Sequence, residues 1–490
     1  MVLSLLNLLP ESTIHTLPSG EVWGAGDLQG AISSRHEALT NLGVGPGSKV
    51  IITYGGTPSF FADLFAIWIQ GGCAICLNPA LTPSEISNIV AFTKPDILIS
   101  KPDYSLPALP KTLHRLSPPE QPSNIGTLQA VSKMNTSKED PALILFTSGT
   151  TGQPKGVTLS FAALEARLAL NQNYIPRDNL KRSLCVLPTH FGHGLIGNCL
   201  TPLAAGGDLY LMTEDVIKNA ARLGDVISEH EITFMSSTPA YWQIALRSSP
   251  PKGSSLKQIN IGSAPVSASL LRDVANWAGI EDVRVMYGIT ETANWTAGMS
   301  IMDAPAEDGL VGPMLGGNAA VLNSDGLMTE SGDGEIIVQT PSLMSGYFNR
   351  PDLTEQIIKD GWFHTGDFGR VNKNGTIKIT GRLKEEINRG GIKVSPAEID
   401  MLLQRHDDIT EACAFAVPDT IAGELVGVAI ILEHDAKADV EALKKWCRSQ
   451  IHHECVPEYW YIVSIIPKTE RGKINRQQVK NMCLEKLHNG

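Results

Sequence analysis

Along the first 140 residues, short apolar runs rich in β-branched residues alternate with stretches whose apolar positions recur at helical spacing. The runs KVIITYGG (49–56), SFFADLFAIWIQGG (59–72), AICLNPALTPSEISNIVAFT (74–93) and DILISK (96–101) read as successive β and α pieces. Such alternation predicts βαβ units and a mostly parallel sheet. The Pro- and Ser-rich stretch from Leu106 to Asp140 reads as a surface connection. Strand-like runs return at ALILFTS, SLCVLP, GDLYLM, ITFMSSTP and DVRVMYG, which predicts a second doubly wound layer. Beyond Gly309 the pattern turns to short strands such as GEIIVQT and GTIKITGR, with turn signals at Ser324-Asp325-Gly326 and Asn374-Gly375. That part is expected to form an antiparallel or barrel-like cap. After Gly381-Arg382, about a hundred residues mix a helix (SPAEIDMLLQRH) with strands (ACAFAVPD, GVAIILEH, YWYIVSIIP), enough for a small α+β unit. The fold class expected is α/β. Residues 1–381 form a large body of doubly wound, mostly parallel sheets with a β-rich cap, and residues 382–490 form a small mobile α+β lid.

A chain of 490 residues exceeds what one core serves, and 42% hydrophobic residues can fill more than one. The net charge of −11 offers no basic footprint for nucleic acid or anionic membrane. The N-terminal apolar run has no cationic segment before it, and the Phe60–Leu77 stretch is broken by Asp63, Gln70, Gly71 and Gly72, so neither reads as a leader or a membrane span. A cytoplasmic protein, monomeric or homodimeric, is expected. The eight cysteines are read as reduced thiols. Cys73 and Cys76 lie in an apolar run as core residues, and Cys447, His452, His453 and Cys455 match no closed zinc pattern.

Chemistry concentrates in a glycine-rich loop. Thr147-Ser148-Gly149-Thr150-Thr151-Gly152-Gln153-Pro154-Lys155-Gly156 follows a β-like run and precedes a helical stretch starting near Ser160. Small residues let backbone amides and hydroxyls wrap an anion, and a lysine adds mobile positive charge. The ending is not the GK[ST] of a Walker A loop.

The loop resembles the phosphate-binding signature of the adenylate-forming superfamily, which includes acyl-CoA synthetases, 4-coumarate-CoA ligases, peptide-synthetase adenylation domains and firefly luciferase. Five further segments occur in that family's order: Gly262-Ser263-Ala264-Pro265, Tyr287-Gly288-Ile289-Thr290-Glu291-Thr292, Gly361 to Asp367, Gly381 to Glu398, and Pro467 to Arg476. The resemblance implies ATP-dependent conversion of a carboxylic acid to its acyl-adenylate with release of pyrophosphate. Acyl transfer to a thiol, with release of AMP, would follow. By resemblance, Thr147, Ser148, Gly149, Thr150, Thr151, Gly152 and Lys155 would hold the β- and γ-phosphates. Glu291 would bind Mg2+, and Thr290 would contact the α-phosphate. Gly262, Ser263, Ala264, Tyr287 and Gly288 would form the adenine pocket, with Asp367 and Arg382 on the ribose. Lys473 would bridge the acid and the α-phosphate, Lys384 would be the hinge, and Gly390 and Gly391 would face the pantetheine arm.

Pro188-Thr189-His190-Phe191-Gly192-His193-Gly194 corresponds to the segment that gates the acyl pocket, and either His190 or His193 could face the active site. No acidic residue occurs between Pro188 and Gly207, so the ammonium of an α-amino acid would lack a partner. Phe191, Ser236, Ser237, Trp242, Gly262, Asn294 and Trp295 complete the candidate pocket, with Trp295 expected to cap it and select a compact acid. Coenzyme A is the expected acceptor. The phosphopantetheine of an acyl carrier protein is the alternative, and a luciferase-like oxygenase or a noncatalytic nucleotide-binding homologue are the readings from other classes.

Overall fold

A computed structural model of the chain describes residues 12–17, 19–104, 109–110, 112–121, 136–147, 155–213, 215–383, 385–389, 392–419, 423–433, 436, 439–451, 453–469 and 472–488. Among them, four sheets carry the architecture. The largest has eight strands in the order Asn294–Ser300, Val283–Ile289, Gln258–Gly262, Phe234–Ser237, Arg182–Cys185, Asp208–Leu211, Ile14–Thr16 and Glu21–Trp23. Its interior pairs are parallel and its two edge strands antiparallel. Near-continuous apolar runs suit strands covered on both faces, and Gln258–Gly262 is buried at every position.

A seven-stranded sheet runs Gly346–Tyr347, Lys155–Ser160, Pro141–Thr147, Cys73–Cys76, Lys49–Ile52, Ile97–Ile99 and His114–Leu116. The helix expected near Ser160 starts at Phe161, with one more strand ahead of it. The loop after Thr147 leads into the strand Lys155–Ser160, antiparallel to Pro141–Thr147, and only then into the helix Phe161–Tyr174. Alternating β-branched and apolar residues in Lys155-Gly156-Val157-Thr158-Leu159 support that strand, and Ser160 caps the helix by accepting from the Ala163 amide at 3.2 Å. The phosphate loop therefore joins two strands rather than a strand and a helix.

The third sheet is antiparallel, built on Leu310–Gly312, Ile377–Arg382, Trp362–Val371, Gly332–Gln339, Asn318–Leu322 and Met328–Thr329, as the turn-rich pattern beyond Gly309 predicts. A fourth sheet, in the C-terminal part, pairs Ile387–Arg389, Ile392–Val394, Gly423–Leu432, Ile409–Asp419 and Tyr459–Ile462. The helix Pro396–Leu403 packs on the strand Ile409–Asp419, and this part has its own core around Ile387, Leu403, Val428 and Leu443. No described helix is long and apolar enough to cross a membrane.

Helix Pro58–Ile69 is apolar nearly all round and buried nearly throughout, which explains why its run reads as hydrophobic without being a span. Its Asp63 is fully buried against Arg35, 2.5 Å away, and accepts a hydrogen bond from the Tyr54 hydroxyl. Burial pushes this carboxyl up to about 7 despite the guanidinium. Replacing Asp63 with alanine leaves Arg35 as an uncompensated buried charge and is expected to lower stability by about 3–5 kcal/mol. Chemical denaturation checks this, and Asp63→Ala combined with Arg35→Met is expected to lose much less; equal losses would refute the account.

Candidate active site

Four neighbouring strands of the largest sheet end side by side, and the candidate residues sit on the turns beyond them. Arg182–Cys185 leads to residues 188–193, Phe234–Ser237 ends on two serines, and Gln258–Gly262 runs into Ser263 and Ala264. Val283–Ile289 carries Tyr287 and Gly288 into the short turn Thr290–Thr292, which bears Glu291. Ligands of open α/β sheets bind in the crevice beyond such carboxyl ends.

His193 opens a π-helical segment, His193–Leu200. Bonding from i to i+5 puts His193 and Asn198 on one face, and both meet Ser236. The His193 Nε2 lies 2.6 Å from the Ser236 hydroxyl and Nδ1 lies 2.7 Å from the Ser263 hydroxyl, while Asn198 Nδ2 donates to the Ser236 carbonyl at 2.6 Å. Burial, and after it the charge of Lys473, pushes the imidazole down to about 3. A neutral ring donates from one nitrogen and accepts at the other, and a hydroxyl on each side serves either tautomer. His193 also stands edge-on to Trp295 at 5.7 Å. His190 instead lies edge-on to Phe191 at 4.1 Å.

Gly197, one turn along, shows why the helix and the strand end fit together. A Cβ there would lie 2.4 Å from Asn294 Nδ2 and 2.9 Å from the Trp295 ring. The backbone around this cluster is strained: Ser263, Ala293 and Asn294 have φ of 70°, 57° and 98°. Each such residue costs on the order of 1–3 kcal/mol, and such strain concentrates at functional sites. Ser236, Ser237 and Trp295 are buried. Trp242 is buried too, but its ring partners are Tyr241 and Trp277 and it belongs to the main core of the body.

On the nucleotide side, the Tyr287 hydroxyl donates to Asp367 at 2.5 Å, and Arg382 Nε reaches the other oxygen of the same carboxylate at 2.8 Å. Asp367 and Arg382 face each other across the strands Trp362–Val371 and Ile377–Arg382. Burial, then the Asp367 charge, holds the Tyr287 phenol well above its usual range, so it remains a donor. Gly288 is required by close approach, since a Cβ would sit 2.4 Å from the Asn294 carbonyl.

Glu291 is held twice by a single turn: its carbonyl accepts from the Met344 amide at 2.8 Å, and its Oε1 accepts from the Tyr347 hydroxyl at 2.7 Å. Lys155 Nζ lies 5.9 Å from the centre of the same tyrosine ring. Among the described residues no group of three His, Cys, Asp or Glu could hold a metal by itself. One carboxylate beside a polyphosphate site suits Mg2+, which is commonly held by one or two carboxylates, water and substrate phosphates.

Lys473 comes from the C-terminal part on a tight turn. The Thr469 amide donates to the Lys473 carbonyl at 2.7 Å, the Gly472 amide donates to the Thr469 carbonyl at 2.8 Å, and Gly472 takes φ 72°. A Cβ on Gly472 would lie 3.2 Å from Ala240 Cβ, so the turn is seated on the body beside Ser236 and Ser237. Arg405 with Asp308, and the Ser395 hydroxyl donating to the Thr380 carbonyl, add two more ties between the two parts. Thr147 ends its strand. Ser148, Gly149, Thr150, Thr151, Gly152, Lys384, Gly390 and Gly391 lie outside the described residues.

Tyr347, Asn198 and Ala240 escape sequence reasoning. Tyr347 carries no charge and reaches Glu291 only through a pairing 56 residues distant in sequence. The one local signal is the Gly346-Tyr347 pair after a strand-like run.

The candidate residues thus gather at the strand ends of an α/β body, with the Lys473 turn of the C-terminal part seated beside them. The chain belongs to the AMP-binding enzyme family, which matches residues 27–348, with the AMP-binding enzyme C-terminal domain matching residues 398–473. It is 31% identical to the sulfoacetate–CoA ligase of Cupriavidus necator over 84% of this chain and 83% of that one. It is 29% identical to the probable CoA ligase CCL9 of Humulus lupulus, covering 94% and 91%. It is 28% identical to the oxalate–CoA ligase of Arabidopsis thaliana, covering 91% of each. Among solved structures it is similar in fold to ATP-bound MatB from Rhodopseudomonas palustris, with a TM-score of 0.85 at 24% identity over 98% of this chain and 99% of that one.

The buried neutral histidine makes a prediction about pH. The unfolded chain takes up a proton near pH 6.5 that the folded chain refuses until about 3, so this group's contribution to stability is complete above the unfolded value and is lost as pH falls through that window. The loss approaches about 1.4 kcal/mol per pH unit. Urea midpoints at pH 7 and pH 5 should fall less steeply in His193→Gln than in the parent; parallel curves would rule out the assignment.

Proposed function

We propose that the protein is an AMP-forming acid–CoA ligase acting on a compact carboxylic acid, with the roles below carried by the residues named. The single observation that carries this reading is the seating of the Lys473 turn on the body, where a Cβ on Gly472 would lie 3.2 Å from the Cβ of Ala240, three residues after the buried Ser237. An acid carboxylate and the α-phosphate of ATP repel one another, and an ammonium at their meeting point offsets that repulsion as charge builds up.

In the first step a carboxylate oxygen forms a bond to the α-phosphorus of ATP, the bond from that phosphorus to the bridging oxygen breaks, and pyrophosphate leaves with the electron pair. The protein orients and neutralises rather than bonding covalently. Lys155 and the loop from Thr147 would hold the departing phosphates, Thr290 the α-phosphate, and Glu291 the Mg2+ that supplies charge compensation when bound. Ala264 and Tyr287 would line the base, with Asp367 and Arg382 at the ribose. In the second step the thiol sulfur of coenzyme A bonds to the acyl carbon, its proton is released, and AMP departs. A lid carrying Lys384, Gly390 and Gly391 would swing to admit the pantetheine arm.

The acid site supports a substrate with an uncharged polar group. Ser237 Oγ, Asn198 Oδ1, Asn294 Nδ2 and Trp295 Nε1 are buried without a hydrogen-bond partner in the chain, and His193 beside them is neutral. Such atoms gain from a hydroxyl or amide on the ligand. All eight cysteines are free thiols, which supports a reducing compartment such as the cytoplasm.

Acid-dependent exchange of pyrophosphate into ATP, measured across a panel of acids and followed by detection of the coenzyme A thioester, tests the reading. Lys473→Ala is expected to lose exchange by about 100- to 1,000-fold; exchange at the parent rate would overturn the assignment. Trp295→Gly is expected to shift the profile toward longer acids, and an unchanged profile would remove Trp295 from the pocket.

A further inference from the structure

We propose that Tyr347 is a positioning residue that orients the Glu291 carboxylate and keeps it apart from the Lys155 ammonium until magnesium and ATP arrive. The inference rests on the reading of Glu291 as the metal carboxylate. Its phenol donates to Glu291 Oε1 at 2.7 Å, and Lys155 Nζ stands 5.9 Å from its ring centre. One neutral side chain thus faces both an anion and a cation, each by the interaction that suits it: a hydroxyl hydrogen for the carboxylate and a π-electron face for the ammonium.

The backbone holds this tyrosine with little freedom. Gly346 and Tyr347 pair with Thr158 and Val157, on the strand that begins at Lys155, and the Phe348 amide donates to the Gly156 carbonyl at 2.7 Å. The Tyr347 amide donates to Thr354 Oγ1 at 2.9 Å. Gly346 takes φ 145°, and a Cβ there would lie 2.9 Å from that threonine, so the turn requires glycine. Burial, then the Glu291 charge, raises the phenol far above its ordinary range, so it donates throughout the physiological span.

A carboxylate and an ammonium on adjacent elements would otherwise form an ion pair, which incoming Mg2+ and phosphate would have to break. Attraction between opposite charges in contact exceeds that of an ammonium for an aromatic face at a partly exposed site. A hydroxyl on one carboxylate oxygen and a ring under the ammonium hold both groups in place and release them easily.

The experiment compares the parent with Tyr347→Phe, Tyr347→Leu and Glu291→Gln. The readouts are the Mg2+ dependence of pyrophosphate exchange, Mn2+ binding by electron paramagnetic resonance with a nonhydrolysable ATP analogue, and binding of that analogue without metal. Removing the hydroxyl alone is expected to raise the metal concentration for half-maximal exchange, and the Mn2+ dissociation constant, by about 10-fold. Metal-free analogue binding should fall less in Tyr347→Phe than in Tyr347→Leu, because the ring still faces Lys155. Tyr347→Leu should weaken both. If Glu291→Gln shifts the metal dependence and Tyr347→Phe does not, the positioning role is wrong. If neither shifts it, Glu291 is not the metal carboxylate and the proposal falls with that reading.

Discussion

Two reactants of like charge have to touch, and the site described above is organised around that repulsion. The positive and hydrogen-bond-donating groups come from four different sheets: Lys155 from the seven-stranded one, the Thr290–Thr292 turn from the eight-stranded one, Arg382 from the antiparallel cap and Lys473 from the C-terminal part. A single element could not present so many without forcing like charges together in the empty crevice. Distributing them lets each rest on its own neutral or acidic neighbour: Lys155 near the Tyr347 ring and Arg382 on Asp367. His193 follows the same logic in reverse. It is buried, it feels the charge of Lys473, and both effects keep the ring neutral.

The C-terminal part is attached in a way that suits movement. It has its own apolar cores, one around Ile387, Leu403 and Leu443 and a smaller one around Phe415 and Val479, so it can turn without opening either. Its ties to the body are small and polar: Arg405 with Asp308, Ser395 with Thr380, and glycine against alanine at residues 472 and 240. Exposed ion pairs contribute little stability, so such contacts select a position without locking it. Inside the lid, Arg476 spans Asp400 at 2.9 Å, Glu385 at 3.1 Å and the Ala414 carbonyl at 2.5 Å. It follows Lys473 by three positions and reaches Glu385, so the lysine turn and the start of the C-terminal part are tied to one side chain.

Most of the strands were legible because apolar runs bounded by glycine and turn residues leave few other options, as at ALILFTS and DVRVMYG. The candidate site was legible as motifs, since residue types and spacing survive in sequence even when partners are distant. What sequence could not supply was direction. The helix expected near Ser160 is there, but the strand Lys155–Ser160 before it, antiparallel to Pro141–Thr147, is not announced by its letters. His190 and His193 are equivalent in a string of letters and become distinct only through a π-helical segment, which no periodicity announces. Trp242 reads as pocket wall by position, and its packing against Tyr241 and Trp277 is likewise invisible in the letters. Tyr347 has no local chemistry to mark it.

The acid site differs in kind from the nucleotide site, and this bears on how far relatives can instruct. Nucleotide contacts rest on backbone turns and charged side chains that any member handling ATP must supply. The acid cluster rests on Gly197 yielding space to Asn294 and Trp295, and on three non-glycine residues held at positive φ. One methyl group at residue 197 would displace both side chains, so the shape of this cavity depends on a few small local choices. Two of the relatives are named for sulfoacetate and oxalate, acids that carry a second anionic group. Such a group in a buried site needs a cation, because an isolated buried charge is far costlier than an unmade hydrogen bond. The contacts of His193 are two hydroxyls and an indole, the ring itself is neutral, and the charge that reaches it is that of Lys473. Likeness at about 30% identity therefore carries over the adenylation chemistry, while the acid depends on the residues that line this chain's own site.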